Sequence, residues 1–126
     1  LAQKREETPY LIDLIEKKVL TILKPKLLAL SARLMEDFRI DAGEADALAL
    51  AVQEKASLVA TDDRNAIRAC KLLKLAFTTA VAILVRAAER GVMDKEQALA
   101  KLEKLASLGR YKETIIRNAH ESIKGA

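Results

Sequence analysis

Apolar positions recur along the chain in two rhythms, one helical and one of short continuous runs. Leu11, Ile12, Leu14 and Ile15 give an apolar face that predicts a helix from Thr8 to about Lys18. Thr8-Pro9 marks its start, because threonine caps and proline suits the first helical position. Val19 to Leu23, closed by Lys24-Pro25, predicts a short strand. Leu27, Leu30, Leu34 and Phe38 return to helical spacing over Lys26 to Asp37. Asp41 to Glu54 predicts a further helix, with Asp41 as N-cap and Glu44 at capping-box spacing. Its body from Ala45 to Val52 is apolar almost all round, which predicts burial. Leu58 to Thr61 is continuous rather than alternating, as expected of a strand covered on both faces.

The second half repeats the alternation. Arg64 to Leu73 reads as a helix with Ile67, Cys70 and Leu73 on one side, and Leu75-Ala76-Phe77 as a strand. Thr78 or Thr79 opens a strongly apolar helix to Arg90, and Gly91 ends it. Asp94, with Gln97 three residues on, caps another helix whose inward face carries Leu99, Leu102 and Leu105. Gly109 breaks that helix, and Lys112 to Lys124 forms a last amphipathic one with Ile115, Ile116 and Ile123. Strands alternating with helices predict an α/β fold with a parallel sheet. Such sheets usually hold more than three strands. Leu1 to Glu7 also reads as the tail of a helix already under way. The expectation is therefore one domain, residues 1–126, whose N-terminal strand lies before Leu1.

Composition narrows the classes. At 126 residues, 51% hydrophobic and 32% charged, the chain suits a folded domain with a core rather than a disordered segment. The net charge of +4 permits a polyanionic partner without demanding one, because the basic residues are scattered. A single cysteine, Cys70, excludes an internal disulfide and reads as a buried structural thiol. The longest apolar run, Ala80 to Val85, is too short to span a bilayer, so the expectation is a soluble, cytoplasmic protein without a membrane partner. The glycines Gly43, Gly91, Gly109 and Gly125 sit at helix edges, and no glycine-rich phosphate loop is present. His120 lies on the last helix, far from the acids in sequence.

The candidate chemistry lies in Ile40 to Arg64. A strand ending in Asp62-Asp63, beside a helix that starts with Asp41 and Glu44, puts several carboxylates at one mouth of the sheet. Their repulsion is offset by a cation, which predicts a divalent-metal site. The alternative is that Asp41 and Glu44 cap one helix and Asp62-Asp63 cap the next. Asp46, two residues from Glu44 on the same helix, points elsewhere.

The segments DAGEADALALA (Asp41 to Ala51) and LVATDDR (Leu58 to Arg64) resemble the PIN-domain family, in its branch of small stand-alone prokaryotic, often archaeal, proteins. The similarity continues through the strand, threonine turn, apolar helix and glycine stop of Leu75 to Val92, and covers nearly the whole chain. The resemblance implies a three-layer fold, with a central parallel sheet between helices and a helix-rich C-terminal part. It implies a Mg²⁺- or Mn²⁺-dependent ribonuclease, often the toxin of a toxin–antitoxin pair, with RNA as substrate, an antitoxin protein as partner and self-association into a dimer. Glu44 matches the family's third acid and Asp62 its fourth, and both are expected as catalytic metal ligands. Asp63 is an auxiliary ligand, and Thr61 matches the small hydroxyl residue that often precedes the fourth acid. Arg64 and Arg68 are candidates to guide the phosphate backbone, since arginine offers a bidentate fork. The family's first-strand Asp and early-helix Glu have no counterpart in this chain. A non-catalytic interaction module is therefore the alternative expectation. Aromatic residues are only 3% of the chain, so RNA recognition is expected to rest on charge and shape.

Overall fold

The computed structural model describes residues 8–109 and 111–126, so the helix tail expected at Leu1 to Glu7 lies outside the described residues. Among these residues the elements run α1 (Thr8–Glu16), α2 (Leu28–Phe38), α3 (Ala42–Glu54), β1 (Val59–Ala60), α4 (Arg64–Leu72), β2 (Phe77–Thr78), α5 (Ala80–Glu89), α6 (Lys95–Ser107) and α7 (Glu113–Lys124). The strands pair in parallel, with Val59 opposite Phe77 and Ala60 opposite Thr78. Val59 N–H donates to Ala76 O and Thr61 N–H to Thr78 O, both at 2.9 Å. Two parallel strands joined through α4 form a βαβ unit, and with the surrounding helices the chain is α/β.

The helix limits follow from side-chain caps. Asp41, Asp63, Thr79 and Asp94 each accept a hydrogen bond from the backbone N–H three residues on, at 2.8 to 3.2 Å. Gly91 follows α5 at φ +72° and Gly109 follows α6 at φ +70°, the left-handed stop that glycine adopts without a Cβ penalty.

Burial falls into two clusters. Leu34, Leu48, Val59, Ala69 and Cys70 form the first, in which α2 packs on α3 and α4. Val81, Leu84, Leu102 and Ile123 belong to the second, where α5, α6 and α7 pack on one another. Among the described residues, Leu48, Leu102, Ile123 and Cys70 are the largest side chains almost wholly removed from water.

Four expectations need correction. Val19 to Leu23 is not a strand but an exposed connection, with Val19 66% and Ile22 75% accessible. A short apolar run becomes a strand only beside a partner, and among the described residues none pairs with it. Leu58 to Thr61 is not covered on both faces: Val59 is buried while Leu58 and Ala60 are exposed. The second strand lies at Phe77–Thr78, because the parallel register selects those residues rather than Leu75. Helix α3 is likewise not buried all round. Ala45, Leu48, Ala49 and Ala51 face the core, while Ala47 and Val52 face solvent.

Candidate functional site

The register of the two strands builds the site. Ala60 pairs with Thr78, so the residues two positions later, Asp62 and Ala80, also come together. Asp62 Oδ1 accepts a hydrogen bond from Ala80 N–H at 2.9 Å, at the first residue of α5. The next residue serves another helix: Asp63 Oδ2 accepts from Ala66 N–H at 2.8 Å and caps α4. Two adjacent carboxylates thus face two different helix N-termini, where the positive end of the peptide dipoles favours negative charge.

Thr61 connects this strand end to α3. Its hydroxyl donates to Glu44 Oε2 at 3.1 Å and accepts from Asp63 N–H at 3.2 Å. Asp41 caps α3 through Oδ1 and Glu44 N–H at 2.8 Å, as the capping spacing predicts. The Glu44 carboxylate does not complete the reciprocal half of a capping box; it turns across to Thr61. Asp46 is turned the other way and accepts from the buried Ser31 hydroxyl at 2.6 Å, tying α3 to α2.

Asp41, Glu44, Thr61, Asp62, Asp63 and Arg64 all line one cleft of about 930 Å³, whose far wall is Ala80 and Ile83 of α5. Arg39 stands at its edge in a left-handed conformation, φ +54°. Arg68, grouped with Arg64 by the sequence reading, lies one turn along α4 and lines a neighbouring pocket instead. Sequence reasoning missed Arg39 and the start of α5. Only the strand register and the length of α2 bring them to the acids.

Each acid uses one oxygen structurally and keeps the other. Among the described residues no protein donor or ion-pair partner reaches Glu44 Oε1 or Asp62 Oδ2, although Oε2 and Oδ1 are hydrogen-bonded. The structural bonds of these two side chains therefore leave one oxygen of each without a protein donor. Behind the cleft, burial first and the Glu44 carboxylate second push the Cys70 thiol up. A buried thiol shifted in that direction stays protonated and unreactive at neutral pH.

A protein-family model described as a PIN domain matches residues 2–124. The chain belongs to the PIN-domain family. No curated protein and no solved structure matches it. PIN domains in general are nucleases that use divalent metal ions. Among the described residues no group of three or more His, Cys, Asp or Glu side chains is arranged to hold a metal ion unaided. The donor set still fits a hard cation. Mg²⁺ prefers oxygen, keeps several waters and is commonly held by one or two carboxylates together with substrate phosphates. Two carboxylates of this PIN domain, each with an unengaged oxygen on one cleft, offer that set. Among the described residues no helix is long and apolar enough to cross a membrane.

Proposed function

We propose that the protein is a metal-dependent ribonuclease of the PIN type, with Glu44 and Asp62 as the principal ligands of Mg²⁺ or Mn²⁺. The observation that carries this reading is the shared cleft on which both acids keep one oxygen free of protein hydrogen bonds. Bound there, the cation supplies a lowered pKa for a bound water and offsets charge on the leaving oxygen. The chain does the rest. Ala80 N–H and the Thr61 hydroxyl fix the two carboxylates, so little side-chain freedom is lost when they engage. Asp63 is the auxiliary acid through Oδ1, since Oδ2 is held by the α4 cap. Arg64, on the same cleft, draws in the phosphodiester.

On this reading residues 1–126 form a single domain whose two strands belong to a central parallel sheet between helical layers. The protein cleaves RNA in the cytoplasm as the toxin of a toxin–antitoxin pair, with an antitoxin protein and a second copy of itself as partners. Dialysis against EDTA is expected to abolish RNA cleavage, and Mn²⁺ or Mg²⁺ to restore it; cleavage that persists in EDTA contradicts the proposal.

One observation favours a second reading, a non-catalytic interaction module. Helix α1 has no buried residue, and Tyr10, Ile12, Val19, Ile22 and Leu28 leave an apolar stretch open to solvent. Exposed apolar side chains gathered along one stretch of chain are a feature of interaction sites. The chelation experiment separates the two, since a docking module has no cleavage to lose.

A further inference from the structure

Beside the acid cleft lies a second pocket of about 340 Å³, lined by Asp37, Phe38, Arg39, Asn65 and Arg68. It joins the end of α2 to the start of α4. Arg39 lines both pockets, so the two recesses share a wall. The one acid here is turned to a different arginine: Asp37 Oδ2 is 3.9 Å from the Arg33 guanidinium. Arg68 donates only a long hydrogen bond, 3.4 Å, to Asn65 Oδ1, and among the described residues neither Arg39 nor Arg68 has a carboxylate within ion-pair distance. Two guanidinium groups with idle donors around a small polar recess are a receptor for a tetrahedral dianion or a phosphodiester. Repulsion between them is relieved when an anion enters.

We infer that Arg39 and Arg68, with the Asn65 amide, form a second phosphate subsite that takes a phosphodiester flanking the scissile one. The inference rests on the nuclease reading for the word scissile; the anion recess itself does not. Arg39 lines both recesses, so a polynucleotide strand leaving the acids along this wall meets the arginine pair next. The ligand class is accordingly an extended polynucleotide strand rather than a mono- or dinucleotide. The subsite sets orientation and affinity, while the acids carry the chemistry.

The test uses a fluorescein-labelled uridine decamer, bound in EDTA so that nothing is cut. The variant is Arg39→Asn with Arg68→Gln, because asparagine tolerates the left-handed backbone at position 39. Affinity is expected to fall roughly tenfold. The slope of log K against log salt is expected to flatten by about 1.4, two phosphate contacts on a single strand. Arg33→Gln, an arginine on the outer face of α2, is the control and keeps wild-type affinity. With Mn²⁺ present, the wild type cleaves the decamer at a lower KM than a dinucleotide, and the double variant loses that advantage. Unchanged decamer affinity in the double variant, or an equal loss in Arg33→Gln, overturns the subsite while leaving the nuclease reading in place. Weakened binding in the double variant, with no Mn²⁺-dependent cleavage by the wild type, upholds the anion subsite and refutes the nuclease reading.

Discussion

Asp62→Asn and Glu44→Gln are each expected to lower Mn²⁺-dependent RNA cleavage by about 100-fold or more. The magnitude follows from metal sites in general, where losing an outer-shell partner already costs about 10–100-fold in metal affinity or activity. A direct ligand stands at or beyond the upper end of that range. The substitutions are chosen so that structure survives. In Asp62→Asn an amide oxygen remains for Ala80 N–H, and in Glu44→Gln one remains for the Thr61 hydroxyl, so the starts of α5 and α3 keep their bonds. Only the charge is removed. Loss of cleavage with an unchanged thermal midpoint supports the ligand roles; undiminished cleavage in both variants refutes them.

The largest stability effect is expected at Leu48. It is 1% accessible, sits in the middle of α3 and packs in the cluster that also holds Leu34, Val59 and Cys70. Leu48→Ala is expected to cost about 2–5 kcal/mol, the lost burial plus the cavity left behind. Against a total stability of roughly 5–15 kcal/mol for a domain, this is a large share. Glu44 lies one turn earlier on the same face of α3, so a repacked helix also displaces the acid. Urea unfolding measures the cost, with Leu72→Ala as contrast. Leu72 is 71% accessible at the end of α4, and a change there is expected within about 0.5 kcal/mol. Equal costs at the two positions contradict the core assignment.

Much of the local structure was legible in the sequence, because caps and stops are written in single residues. Asp41 and Asp94 cap helices where their spacing predicts, Thr79 is the one of the two candidate threonines that caps α5, and Gly91 and Gly109 stop helices. What depended on partners was not legible. Val19 to Leu23 has strand composition and no strand beside it among the described residues. Ile115, counted with the apolar residues of the last helix, is 44% exposed, since α7 presents Ala119 and Ile123 to its cluster instead. At the site, the carboxyl-end rule for parallel strands placed Glu44 and Asp62 at one mouth, and both line the same cleft. Which oxygen each acid spends on the fold was beyond sequence. The Asp62 contact with α5 follows from a strand register 18 residues apart, and Arg39 enters only through the end of α2.

On the proposed reading, Glu44 and Asp62 hold one divalent cation between them. Titration of Mn²⁺ into the protein, followed by the loss of the free-ion paramagnetic resonance signal, tests it without substrate or turnover. The wild type is expected to show a saturable site that weakens by about tenfold or more in Glu44→Gln and in Asp62→Asn separately. Wild-type Mn²⁺ affinity retained in both folded variants contradicts it.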